Sequence, residues 1–370
     1  MKRLIPLSLA ILLLLSGCWD SRQLRDITIA KSAALDLLDD GIYQSTISSP
    51  VPRKYQAEER TLVVSGTGHT IREARMALDG KVSEQIDTAK LRILVLGEPL
   101  ARKNIFPPLD IMYRDPRSSL GAKIAVFDGV GSNLIHMKLT DKPRTSEFVA
   151  ELLETAESNT IVDDINVQLI CPIMMDPGED MILPYIGVDE EDNPRLIGNA
   201  LFNGDTMTGS LSVEDSTLLL LMKGKLGSAT FLTEKVHQEE EEDDKDNYIT
   251  LRIRDTAAST EVTVNHASDE VTANVKLTMK VEAIEYPHNE LTEKENIAKL
   301  NTSLEEQFTA EAGEIFKTLQ ESNCDALGIG RRVLVHHPDF WDTHKWNELY
   351  PEITIEPEIK VEIVDHGIIN

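Results

Sequence analysis

Cysteine is scarce in this chain: Cys18, Cys171 and Cys324 are the only three among 370 residues. A disulfide framework needs pairs at close, repeated spacings, and a zinc site needs a Cys-x-x-Cys or comparable ligand spacing; neither pattern occurs. Cys171 and Cys324 are far apart and flanked by apolar residues, so both are expected as buried free thiols. Positive charge is also short. Against 63 Asp and Glu stand 37 Lys and Arg, leaving a net charge of -26. A surface of that sign repels phosphate backbones and anionic headgroups, which argues against nucleic-acid binding and against polybasic attachment to membranes. Beyond the first 17 residues no stretch approaches the roughly 20 apolar residues a helix needs to cross a bilayer. The P-loop, nucleophile-elbow, Ser-x-x-Lys and His-Glu-x-x-His patterns are missing as well. Carboxylates are so abundant that no catalytic pair stands out, and the expectation is a protein that is not an enzyme.

What the chain does carry begins at its front. Met1-Lys2-Arg3 precede an apolar run from Leu4 to Leu15, closed by Ser16-Gly17-Cys18. A basic start, a short apolar region and small residues before a cut describe a signal peptide over residues 1–17. Leu15-Ser16-Gly17-Cys18 is a bacterial lipobox, in which the Cys18 thiol is acylated and becomes the new N-terminus. Cys18 is therefore the expected lipidation site. Each buried methylene contributes about 0.8 kcal/mol, and two or more chains anchor stably. The mature protein is expected to sit on the outer face of a membrane, with Trp19 to Gln23 as a short stalk.

Hydrophobic content of 41% and charged content of 27% are those of a globular protein with real cores. Strands are expected at Ile27 to Leu38 and Ile42 to Ser48 around the turn Asp39-Asp40-Gly41, and again at Thr61 to Ser65, Leu91 to Leu96 and Ala122 to Phe127. Helical segments alternate with them: one capped by Thr70 and running to about Gln85, one in pieces over Glu98 to Arg114, and one from Arg144 to Ser158. That alternation predicts an N-terminal α/β domain with a mixed sheet over 18–192. The Pro-, Gly- and Asp-rich span from Cys171 to Asn193 is read as the boundary. The remainder, 193–370, predicts an α+β region, open to a further split near 225–247. It has a hairpin around Asn203-Gly204-Asp205 and a helix capped by Ser212 and ended by Gly224. A strand around Ala229 to Leu232 follows. Three alternating segments (Tyr248 to Ile253, Glu261 to Asn265, Val271 to Ile284) then read as an antiparallel meander. A long helix from Leu291 to about Ser322, with an apolar stripe from Ile297 to Leu319, should lie across it. A closing strand runs from Ile353 to Val364. The fold class is thus α+β and multi-domain.

Four motifs invite chemistry, and each has a plainer reading. Gly66-Thr67-Gly68-His69-Thr70 lacks the third glycine of a dinucleotide fingerprint and reads as a tight strand-to-helix turn. Gly328-Ile-Gly-Arg-Arg332 reads as a break after the long helix with an exposed basic pair. His336, His337 and His344 near Asp339 and Asp342 fit no metal-ligand spacing. Glu239 to Asp244 lacks the glycine and closing glutamate of a calcium loop and reads as solvated. No metal or cofactor is expected.

Several short segments, taken in order, resemble the Ger(x)C family of spore germination lipoproteins, the C subunits of nutrient germinant receptors. They are Gly17-Cys18-Trp19-Asp20-Ser21-Arg22, Val64 to Ala74, Arg92 to Glu98 with Tyr113 to Pro116, and Gly198 to Asp205 with Gly209 to Ser212. The most specific is the tail: Cys324-Asp-Ala-Leu-Gly-Ile-Gly-Arg331, Pro338-Asp-Phe-Trp341 and Trp346. Where relatives often carry a histidine just ahead of Leu91, this chain has Ala89-Lys90. The resemblance implies a non-enzymatic, lipid-anchored subunit at the outer face of the spore inner membrane. It would work beside polytopic membrane subunits of the same receptor, and only lipidation carries over residue by residue, to Cys18. It also implies a division into three domains, and it leaves open whether a small-molecule nutrient touches this subunit. The alternative is an extracytoplasmic solute-binding lipoprotein that captures the nutrient itself; such proteins present two similar lobes around a cleft, unlike the two unlike halves predicted here.

Overall fold

A computed structural model describes residues 27–51, 60–138, 144–236, 247–287, 291 and 293–367. Cys18 and the acidic run from Glu239 to Asp244 lie outside the described residues. The chain opens with β1 (Ile27–Ile29), β2 (Ser32–Leu37) and β3 (Tyr43–Val51), the last two forming the expected hairpin across Asp39-Asp40-Gly41. β4 (Arg60–Gly68) follows and leads into α1 (Ile71–Asp79), which Gly80 stops short of the expected Gln85. Next come β5 (Gln85–Asp87), β6 (Ile93–Gly97), α2 (Glu98–Ala101) and α3 (Phe106–Arg114). Pro107 and Pro108 occupy the first turn of α3, where a missing N–H costs nothing. β7 (Lys123–Phe127), α4 (Gly131–His136), α5 (Thr145–Ser158) and α6 (Val167–Met174) precede β8 (Ile182–Val188), β9 (Pro194–Asn203) and β10 (Thr206–Leu211).

Eight of these strands form one mixed sheet in the order β10-β9-β8-β7-β6-β2-β3-β4; β2, β6, β7 and β8 run parallel. The parallel strands are buried on both faces, which is why Ile93-Leu-Val-Leu96 and Ile124-Ala-Val-Phe127 are continuous apolar runs. Ile93, Val95, Ala125 and Phe127 pack against Leu134, Val149 and Leu153 of α4 and α5. Leu94, Leu96, Ile124 and Val126 pack on the other side with Ile71, Leu78, Leu100 and Leu109. The turn at 189–194, where the sequence suggests a boundary, is a hairpin inside this sheet. The Asp189 side chain accepts hydrogen bonds from the Glu191 and Asn193 amides, and β8 and β9 pair on either side.

From β10 the chain enters α7 (Val213–Met222), capped by Ser212 as expected, whose residues from Ser216 to Met222 are all buried. A helix apolar on every side must sit inside the molecule. α7 does so, in one core with Ile182 and Leu201 of the large sheet and with the second sheet. That second sheet has the order β11-β12-β13-β14, from β11 (Phe231–Lys235), β12 (Tyr248–Asn265), β13 (Glu270–Glu285) and β14 (Thr354–Asp365). Two sequence expectations change here. The segments at Tyr248 and Glu261 are one 18-residue strand, carried through the polar stretch around Asp255 by a bulge at Ile253/Asp255. The closing strand β14 pairs parallel to β13, so the sheet is not a plain antiparallel meander. The parallel return is possible because α8 (Lys294–Glu321), α9 (Ile329–His336) and the short α10 (Pro338–Trp341) and α11 (Trp346–Leu349) carry the chain back. Leu300, Leu304, Phe308, Ala312, Ile315 and Leu319 of α8 lie in the same core as Val275, Leu277 and Met279 of β13.

Candidate functional site

In an open sheet with parallel strands, ligands collect beyond the carboxyl ends of the strands, where the connections diverge. Here that place, between β2 and β6, is filled by the protein itself. The Asp36 carboxylate, at the end of β2, accepts the amides of Gly131 at 2.6 Å and Ser132 at 2.9 Å at the start of α4. It occupies the position a bound anion would take. Burial pushes the Asp36 carboxyl up from its ordinary value, while the two amides pull against that shift. The turn at Gly66 to Thr70 is likewise satisfied internally. Thr70 Oγ1 accepts the Glu73 amide at 3.1 Å, and the Glu73 carboxylate accepts the His69 amide at 2.7 Å. A Cβ on Gly66 would lie 2.3 Å from the Ala74 carbonyl oxygen, so the glycine is there to let α1 lie close on β4.

The densest polar arrangement is at the tail. Asp325 is buried and accepts three donors: the Ile329 amide at 2.9 Å, the Gly330 amide at 2.7 Å and the Trp346 indole N–H at 3.1 Å. Its own amide donates to Asp180 Oδ2 at 2.8 Å, and Asp180 Oδ1 accepts the Gly204 amide at 2.7 Å. The Tyr350 hydroxyl donates to the Cys324 carbonyl at 3.0 Å. The Arg331 amide donates to the Gly178 carbonyl at 2.7 Å, while its guanidinium pairs with Asp176 and with Glu179. A Cβ on Gly330 would stand 2.5 Å from the Trp346 ring, so only glycine admits the indole to Asp325. The arrangement joins the segment ahead of β8 and the β9–β10 turn to the chain after α8. Burial pushes Asp325 up to about 7 against its hydrogen bonds. It also raises Asp180, and carries Cys324 and Tyr350 well above their ordinary values.

The chain breaks after α8 at the expected place, with Gly328 (φ +64°) starting α9; Arg331 is exposed and Arg332 partly so, and Arg331 is in addition tied to Asp176 and Glu179. The three histidines do not converge. His344 stacks on Phe340 with ring centroids 3.9 Å apart, and His337 lies against His266. Among the described residues no group of three or more His, Cys, Asp and Glu is arranged to hold a metal. Cys171 is half-buried and Cys324 buried, both as free thiols. A second feature, unmarked in the sequence, is a cleft of about 570 Å³ along α7, β11 and α8, containing Glu234 and Glu311. Gln307 donates to both carboxyls. Burial and the neighbouring Glu311 push Glu234 up to about 8, and burial raises Glu311. No helix among the described residues is long and apolar enough to cross a membrane.

A domain described as the N-terminal domain of spore germination proteins matches residues 20–188. A second, described as the spore germination B3/GerAC-like C-terminal region, matches residues 197–367. The protein belongs to the Ger(x)C family, the C subunits of germinant receptors. Among its relatives is spore germination protein B3 of Bacillus subtilis (strain 168), 21% identical over 96% of this chain and 96% of that protein. Spore germination protein KC of the same organism is 24% identical over 98% of this chain and 96% of that protein. The crystal structure of the GerBC protein shares the fold, with a TM-score of 0.60 at 17% identity, covering 94% of this chain and 100% of that one. The tail residues that build the Asp325 joint are those on which the sequence resemblance is most specific.

Proposed function

We propose that the protein is a lipid-anchored, non-enzymatic subunit of a spore nutrient germinant receptor. It is held by acyl chains on Cys18 at the outer face of the spore inner membrane, and it acts by docking on polytopic subunits of the same receptor. The observation that carries this reading is membership of the family along both halves of the chain, behind a lipobox at Leu15-Ser16-Gly17-Cys18. The net charge of -26 supports it, since attachment then has to come from buried methylenes rather than from headgroup attraction. The most densely hydrogen-bonded groups, around Asp36 and Asp325, are spent on holding the chain together, which suits a protein that works through its surfaces.

Mass spectrometry of the protein from its natural host is expected to find the first 17 residues removed and Cys18 acylated. The Cys18→Ala variant should leave the membrane fraction and slow germination triggered by at least one nutrient. A membrane-bound Cys18→Ala protein with normal germination would overturn the anchoring role. Co-purification of polytopic subunits after mild crosslinking tests the docking role separately.

A further inference from the structure

A second cleft, of about 430 Å³, opens between the end of α7, the middle of β12 and α9. That size falls in the range of small-molecule pockets. Its lining runs against the composition of the chain. In a protein of net charge -26, Lys223, Lys225, Arg331, Arg332 and His336 converge on it, with Glu179 the only carboxylate among the described lining residues. Three of the cations have acidic partners: Lys223 pairs with Glu179, Arg331 with Asp176 and Glu179, and Lys225 with Asp163. Arg332 does not. Its Nη1 donates to the carbonyls of Leu327 and Gly328, each at 2.9 Å, and no carboxylate pairs with it among the described residues. Among the described residues the guanidinium is therefore held in place by neutral carbonyls, without a carboxylate partner. His336 lies one turn further along the same face of α9. An apolar wall completes the cleft, formed by Met222, Ala258, Leu327 and Val335, the last 64% exposed.

We propose that this cleft binds a small organic carboxylate, its anionic head on Arg332 and its apolar body against Leu327 and Val335. A guanidinium already fixed by backbone carbonyls loses little freedom on pairing, and its planar fork matches a carboxylate. The apolar wall rewards a ligand with a hydrocarbon body over a bare inorganic anion. The site stands whether or not the docking role holds.

Isothermal titration calorimetry of the full chain in a nonionic detergent tests it, with sodium benzoate as the probe and inorganic phosphate and neutral benzamide as comparisons. Benzoate is expected to bind saturably at one site, at least tenfold more tightly than either comparison. Arg332→Gln should weaken benzoate at least tenfold. Val335→Asp should do the same by placing a negative charge at the mouth, from an exposed position that the fold does not depend on. The proposal is overturned by an absence of saturable benzoate binding. It is equally overturned by unchanged affinity in Val335→Asp, or by phosphate or benzamide binding as tightly as benzoate.

Discussion

Asp325 satisfies three buried donors, and its removal strands all of them. An orphaned buried donor costs about 1–3 kcal/mol, so Asp325→Ala is expected to lower stability by about 3 kcal/mol or more, read as a shift in urea midpoint at constant slope. The titration of this carboxyl also bears on stability. Asp325 is raised from 3.8 to about 7 and Glu234 from 4.5 to about 8, so each holds its proton more tightly in the folded chain than in the unfolded one. Their contribution is complete below the unfolded values and is lost as pH climbs through the folded ones. Asp36 and Asp180 are raised in the same direction. The urea midpoint should therefore fall between pH 5 and pH 9, and Glu234→Gln should flatten part of that fall. A midpoint that rises over this range would contradict the assignment. Only part of this is legible locally. Asp325 is one of 63 acidic residues; two of its donors, Ile329 and Gly330, follow closely in the chain, but Asp180 and Trp346, which complete the arrangement, are remote in sequence.

Where periodicity is long, elements were legible; where it is short or mixed, tertiary contacts decided. The stripe of α8 from Leu300 to Leu319 and the Ser212 and Thr70 caps are where the spacing puts them. β8 does not stand out in the sequence because Pro184 and Gly187 lie among turn residues. It meets β7 only at Tyr185 and Ile186, so Pro184 sits where that ladder has not begun. The polar middle of β12 makes its pattern look like two pieces, yet the long pairing with β13 holds it as one. The outer edge of β14 shows a device no pattern predicts. The Val361 amide donates to Glu305 Oε1 at 3.0 Å and the Ile363 amide to Asn301 Oδ1 at 3.2 Å, so α8 covers a strand edge that would otherwise recruit another chain. The double variant Asn301→Ala/Glu305→Ala is expected to cost about 1–2 kcal/mol and to promote self-association, measured by light scattering at rising protein concentration.

At the scale of the whole molecule, the sequence announces two unlike halves divided at residue 192; the described residues form a large mixed sheet clad by helices, which continues through β9 and β10 beyond that residue, and a smaller sheet under one long helix. What it could not announce is how they share material. From Leu218 to Met222 α7 is apolar on every side, and its leucines touch a core that takes in Ile182, Leu201 and Leu211 from one sheet and Ile249, Val275 and Ile359 from the other. A keystone of this kind cannot belong to either half alone. Severing the backbone at Lys225, just beyond α7, would give two fragments with matching greasy scars. Each fragment alone is expected to be insoluble, and co-expression of the pair should restore a soluble, non-covalent complex with the circular dichroism of the uncut protein. Two independently soluble fragments would show instead that the halves are separable modules.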